Sequence, residues 1–346
     1  MHFIAGITVI LLGLLKVQVS EAASSDPLFQ EQSVLRVMMT APFNTLIRVR
    51  PDDEYLAGQI SYQEADGTRV ELDIQVRARG NFRHKYCDFP PMNLNFKKSQ
   101  VEGTLFDGQN KLKMVAHCKD SGRYQEAVLR EYLAYRILNS VTDLSFQVRL
   151  LEVTYLDSDE RRSNLVRYAF FIEHPDRLAE RTGRKRVDIV HADIGAIQPV
   201  ELNLTSVFQY LIGNVDFSPV DGSNNECCHN YEMYENGVDQ LLAVPYDFDL
   251  AGMVYAPYAM TNQELGVEKV GQRVYRGYCG HNGHVDGSIS RFKTARDTVY
   301  ALVGERQELE PATRDTIIQY VNEFYAVIDD PEAVENELTG ACTDDP

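Results

Sequence analysis

The chain is poor in the features that mark several large protein classes. Beyond residue 15 it has no apolar run that could span a bilayer, no low-complexity tract and no internal repeat. These absences argue against a membrane protein of several helical spans, a collagen-like rod and a solenoid array. Basic residues are outnumbered, 34 Lys and Arg against 51 Asp and Glu, giving a net charge of −17. Such an acidic chain argues against nucleic acid as its partner. His191, His229, His281 and His284 lack metal-site spacing. A glycine-rich phosphate loop is also missing.

What is present begins with a leader. HFIAGITVILLGLL is unbroken and apolar, shorter than a spanning helix, and small residues follow at Ser20 and Ala22. The pattern predicts a signal peptide over residues 1–22 and export to the periplasm or the extracellular space, although no Lys or Arg precedes the apolar run. No stable membrane span is expected once the leader is cleaved. Lys16 and Glu21 cancel within it, so the mature chain keeps the charge of −17. Six cysteines follow, an even number that in an exported chain favours disulfides. Cys87–Cys118 is the preferred pair, on strands that could be neighbours. Cys227 and Cys228 are adjacent, a spacing that disfavours a bond between them, so each is expected to reach Cys279 or Cys342. A zinc site from Cys227, Cys228 and His229 is the rival reading, with contiguous ligands against it.

Apolar content of 44% suits a globular core. RVELDIQVRARG alternates, with Val70, Leu72, Ile74 and Val76 on one face, as in a half-buried antiparallel strand. SVLRVMMTA, PPMNLNF, NKLKMV, SFQVRLLEVTYL and LVRYAFFIEH read as further strands. YQEAVLREYLAYRILNS holds good helix formers without Gly or Pro. The division expected is a β-rich N-terminal lobe with one long helix (30–175), a linker (176–200), a helical C-terminal lobe carrying a hairpin (201–335) and a frayed acidic tail (336–346). Within the second half, ELNLTSVFQYLIGN is a helix, the Asn236-Gly237 pair turns a hairpin over 231–246, and two more helices fall at 291–308 and 312–328. Asn203-Leu204-Thr205 fits a glycosylation sequon, but inside a helix.

The chemistry concentrates between Asn214 and Gly252. Asp216 follows an apolar helix, Asn230 opens the hairpin, and Asp247 closes it. Kinases use this order: a loop Asp that orients the attacking hydroxyl, an Asn, and a metal-binding Asp after a hairpin. Asn230 and Asp247 could grip one magnesium ion, which prefers oxygen ligands. Asp249 projects to the same strand face as Asp247 and is a second ligand or the principal one. Taken singly, each has a plainer reading as a turn cap, a strand start or a backbone acceptor.

Glu131 shares a helix sector with Val128, Tyr135 and Leu138, and an inward carboxylate needs a partner. Lys113, Lys97 and Lys98 are candidates for a phosphate-gripping Lys–Glu pair. Alternatively Glu131 reaches solvent and meets Arg130 or Lys119. Arg77, Arg79 and Arg83 surround Gly80 at a strand end; arginine suits phosphate, while solvated arginines on a turn are the plainer reading.

With these motifs the chain resembles the CotH family of spore-coat and surface-protein kinases. The matches are the Arg79-Gly80-Asn81 turn, FPPMNLNFKK, the helix LREYLAYRILN, Asp216, the HNYEMY strand at Asn230, and PYDFDLAG beside that family's Pro-Trp-Asp-x-Asp run. They extend over residues 75 to 342. The resemblance implies an α+β, two-lobed atypical protein-kinase-like fold with a β-rich small lobe and a mainly helical large lobe. It implies use of ATP with Mg²⁺ or Mn²⁺, and transfer to a protein side chain. Asp216 would be catalytic, Asn230, Asp247 and Asp249 metal ligands, and Lys113 or Lys97 with Glu131 and Arg79 the nucleotide grip. Two rival readings are a catalytically inactive envelope or surface binding protein, and a metal-dependent hydrolase using Asp247 and Asp249.

Overall fold

The computed structural model describes residues 26–51, 54–222 and 227–344. The expected leader, residues 1–22, lies outside the described residues. Seven strands close into a barrel: β1 (Leu35–Ala41), β2 (Leu56–Gln63), β3 (Arg69–Ala78), β4 (Met92–Phe96), β5 (Lys111–Val115), β6 (Val148–Asp157) and β7 (Leu165–Ile172). Their order around the barrel is β1-β2-β3-β4-β5-β7-β6. All neighbours are antiparallel except β1 and β6, which run parallel with Leu35 opposite Leu151. That one parallel pairing closes an otherwise antiparallel sheet into a mixed barrel and removes its edges.

β2 was not among the expected strands, because LAGQISYQ is polar and carries Gly58. Yet Gly58 is what lets β2 approach β1: a Cβ there would lie 2.7 Å from the Thr40 carbonyl oxygen. Burial along β3 alternates as its sequence suggests, with Leu72, Ile74 and Val76 inward. β6 over residues 148–151 and β7 over residues 169–172 bury both faces. Val153 and Phe171 join the barrel interior. Leu150, Phe170 and Ile172 pack outward against the helix Gly122–Asn139. This explains why their sequences read as near-continuous apolar runs.

The two-lobed kinase-like expectation is corrected here. The chain is a closed seven-stranded mixed barrel with helices and a small second sheet, not a β lobe set apart from a helical lobe. The helix Gly122–Asn139, expected to belong to the β-rich half, shares one hydrophobic core with helices Pro199–Ile212, Val285–Gly304 and Pro311–Asp329. Leu133, Leu211, Phe292 and Phe324 are fully buried in it. A helix buried on nearly all sides welds the barrel wall to the C-terminal helices.

The second sheet has the order β10-β9-β8, built from β8 (Lys185–Val187), β9 (Tyr231–Glu235) and β10 (Leu241–Pro245). β9 and β10 form the expected hairpin, Tyr231 opposite Pro245. Within 176–200, the expected linker, lie β8 and most of the helix Pro175–Thr182. Over its described residues, 336–344, the tail is not frayed: Leu338 is fully buried, and Cys342 bonds Cys279.

Three disulfides are present. Cys87–Cys118 is formed as expected. Cys279 joins Cys342, because the Cys279 N–H donates to the Thr343 carbonyl at 2.9 Å and holds the tail alongside. Cys227 and Cys228 are then left to bond each other, which corrects the expected pairing and removes the thiolates of the rival zinc reading. Asn203 is also no sugar acceptor: it is buried, donating to the Tyr275 hydroxyl and accepting from Ser288. Among the described residues no helix is long and apolar enough to cross a membrane.

Candidate functional site

A cleft of about 1020 Å³ opens beside the barrel, between the end of β3 and the small sheet. Arg79, Arg83, Lys113, Asp216, His229, Asn230, Asp247 and Asp249 all line it. These eight residues come from five separate stretches of chain.

β3 ends in the Arg79-Gly80-Asn81 turn, where Gly80 has φ +93°, a conformation that suits glycine. A one-turn helix, Phe82–Tyr86, follows and is anchored at its far end. Cys87 is bonded to Cys118, and Arg50 donates to the carbonyls of His84, Lys85 and Cys87. The anchoring turns Arg83 inward, to 8% exposure. Its guanidinium meets three carboxylates: Glu131 Oε2 at 3.3 Å, Asp249 Oδ2 at 3.2 Å, and Asp247 Oδ1 in close contact. The reading of solvated arginines therefore fails at Arg83. The lysine partner expected for Glu131 is replaced by this arginine, and Glu131 does not reach solvent, being 1% exposed.

Three carboxylates around one buried guanidinium leave surplus negative charge. Burial raises the Glu131 and Asp249 carboxyls above the ordinary range, against the pull of Arg83. Glu131 Oε1 has no hydrogen-bond partner. Tyr258 donates to Asp249 Oδ2 at 3.0 Å, and the Asp247 N–H donates to the Tyr135 hydroxyl at 2.8 Å. Asp247 and Asn230 both sit at positive φ, +62° and +59°. The Tyr246 N–H donates to the Asn230 carbonyl at 3.0 Å, closing the hairpin and drawing the two residues into one cleft.

Opposite stands a second polar group. Asn230 Nδ2 donates to the Asp216 carbonyl at 2.6 Å and to its Oδ2 at 3.1 Å. His229 Nε2 lies 2.9 Å from Asp216 Oδ1, a hydrogen bond that raises the imidazole's affinity for protons. His229 thus serves as a partner of Asp216 and not as the zinc ligand of the rival reading; its place beside Asn230 is the sequence signal for that role.

At the inner end, beside Tyr246, stand Arg79 and Lys113. Lys113 lies over the Tyr246 ring at 5.2 Å. Burial, aided by Arg79, lowers its ammonium to about 8. Burial and Arg83 likewise lower Arg79, and Arg79 Nε has no hydrogen-bond partner. Among the described residues neither cation has a carboxylate within salt-bridge distance. Lys97 and Lys98 are elsewhere: Lys97 is exposed near Asp73, and Lys98 lines a separate cavity with Lys111 and Arg177.

Oxygen donors on Asp216, Asn230, Asp247 and Asp249 suit a hard divalent cation, and the charge surplus around Arg83 suits one too. Among the described residues, however, no three His, Cys, Asp or Glu side chains form a ready metal cluster. Arg83 already holds one oxygen of Asp247 and one of Asp249. No family model and no curated protein matches this chain.

Proposed function

We propose that the cleft binds a nucleoside triphosphate and transfers its terminal phosphoryl group to a protein side chain. The observation that carries this reading is the cleft's polarity. Two cations without carboxylate partners, Arg79 and Lys113, stand at one end, and Asp216, Asn230, Asp247 and Asp249 line the remainder. Phosphoryl transfer needs positioning and charge neutralisation more than covalent chemistry.

Arg79 and Lys113 would hold the phosphate oxygens, their desolvation being relieved by the anion. Asp216, fixed by Asn230 and His229, would accept a hydrogen bond from the acceptor hydroxyl and orient it. Asn230, Asp247 and Asp249 would hold Mg²⁺ or Mn²⁺, which when bound neutralises charge on the phosphates. Glu131, through Arg83, ties the Asp247–Asp249 segment to the helix Gly122–Asn139. This reading takes the roles of the motifs from the resemblance to CotH proteins and leaves aside the fold that came with it. The three disulfides favour action in an oxidising compartment, the exported setting expected from the leader.

One observation favours the catalytically inactive binding protein: Arg83 already neutralises part of both carboxylates proposed to hold the metal. The test is transfer of label from γ-labelled ATP with Mg²⁺ or Mn²⁺ to added protein and to the chain itself. Wild type should label, and Asp216→Ala and Asp247→Ala should each lose about 10²-fold or more. Labelling undiminished in both variants rejects these roles. Absent labelling with a thermal shift on Mn²⁺ and ATP selects the binding protein.

A further inference from the structure

We infer that Arg83 is an internal counter-cation that bars a bare divalent ion from Asp247 and Asp249 and yields only to one arriving with a polyphosphate. The inference rests on the reading of the cleft as a cation and phosphate site.

Glu131, Asp247 and Asp249 are three acidic groups set around the single cation Arg83, which lies within hydrogen-bonding distance of all three. Arg83 and Glu131 are both over nine-tenths buried. A charge in such surroundings is held by its partners, because leaving them unpaired is costly. A divalent ion ligated by Asp247 and Asp249 would stand next to the guanidinium and compete for the same oxygens. The repulsion between them would be weakly screened.

Asp247 is the contact free to open. Its carboxylate is 36% exposed, against 2% for Glu131 and 9% for Asp249. Glu131 Oε1 has no partner, so Arg83 has a second oxygen to turn to on the same carboxylate. A polyphosphate brings enough negative charge to offset the added cation, and Arg79 and Lys113 stand ready to hold it. Arg83 thereby couples occupancy of the two halves of the cleft, a linkage that acts in both directions.

The experiment measures Mn²⁺ retained by the purified protein in equilibrium dialysis, with and without the same ATP concentration on both sides of the membrane, counting only the excess on the protein side. Arg83→Gln alone leaves three carboxylates unneutralised and risks misfolding. The Arg83→Gln/Glu131→Gln double variant keeps the cluster's formal charge while removing the guanidinium. Wild type should take up Mn²⁺ with ATP and retain almost none without it. The double variant should retain Mn²⁺ alone at least about tenfold more tightly than wild type, a coupling of about 1.4 kcal/mol. Adding Asp247→Asn should abolish that gain. If wild type holds Mn²⁺ alone as tightly as the double variant, or the double variant gains nothing, the role of Arg83 is refuted while the cation and phosphate reading survives. If neither protein retains Mn²⁺ even with ATP, that reading falls and takes this inference with it.

Discussion

The barrel interior and the cleft beside its end solve opposite problems. Inside the barrel, Leu72, Ile74, Leu94, Met114 and Phe171 belong to one apolar cluster, and burial itself supplies the stability. At the cleft, Arg83, Glu131 and Asp249 are buried nearly as deeply, yet each is held by ionic partners. Replacing such a cluster with apolar residues of similar volume is often neutral or stabilising. Its retention is therefore weak evidence for a structural role and fits a functional one. Even titratable groups differ between the regions. His117, packed against Phe89 and Tyr155, has no partner at Nδ1 and is held neutral by burial, down to about 3. In the cleft, Arg83 faces three carboxyl groups and opposes the effect of burial on Glu131 and Asp249.

Four measurements would break or sharpen this contrast. The largest effect belongs to the barrel: Phe171→Ala should cost about 4 kcal/mol in urea unfolding, from lost burial plus a cavity. A loss below about 1 kcal/mol would mean the interior is not the stability reservoir described. Next comes pH. His117 is neutral when folded but takes a proton below 6.5 when unfolded, so the unfolded state binds more protons as pH falls. Its contribution is intact above 6.5 and is lost by about 1.4 kcal/mol per pH unit on acidification towards 3. Comparing His117→Phe with wild type between pH 7 and 4.5 should reveal a flatter slope in the variant.

The third test moves to the cleft. Lys113→Met should weaken pyrophosphate or ATP binding about ten- to a hundredfold by calorimetry while leaving stability unchanged or raised, since a buried ammonium is removed. Because Lys113 titrates at about 8 in the fold, wild-type affinity should fall between pH 7 and 9. The variant should lack that fall; an equal fall in both would clear Lys113 of the role. The smallest effect is the control. Arg36, 80% exposed and paired with Glu152, should change stability by less than about 0.5 kcal/mol on replacement by alanine.

Legibility in the sequence follows the same contrast. β3 was readable because period-2 alternation is local, and the hairpin of β9 and β10 because Asn236-Gly237 marks a turn. β2 was hidden, since Gly58 answers to the closeness of β1 and not to any pattern within β2. The kinase-like architecture failed at the parallel pairing of β1 with β6, a contact between residues 116 apart at Leu35 and Leu151, which no local periodicity encodes. In the cleft, Asp216, Asn230 and Asp247 were identifiable by their order along one stretch. Arg83 reads from the sequence as a solvated turn residue, because its burial depends on a disulfide and on Arg50 fastening the helix beneath it.

By itself, the sequence determined which segments are strands or helices where apolar spacing repeats, and which short stretch holds carboxylates and an amide in a suggestive order. Local geometry is a property of neighbouring residues, so a neighbour-by-neighbour reading recovers it. Only the tertiary structure decided that the sheet closes, that Cys227 bonds Cys228, and that Arg83 occupies the centre of three carboxylates. Those outcomes depend on which distant surfaces bury each other. Whether a buried charge is tolerated is fixed by partners brought from elsewhere in the chain.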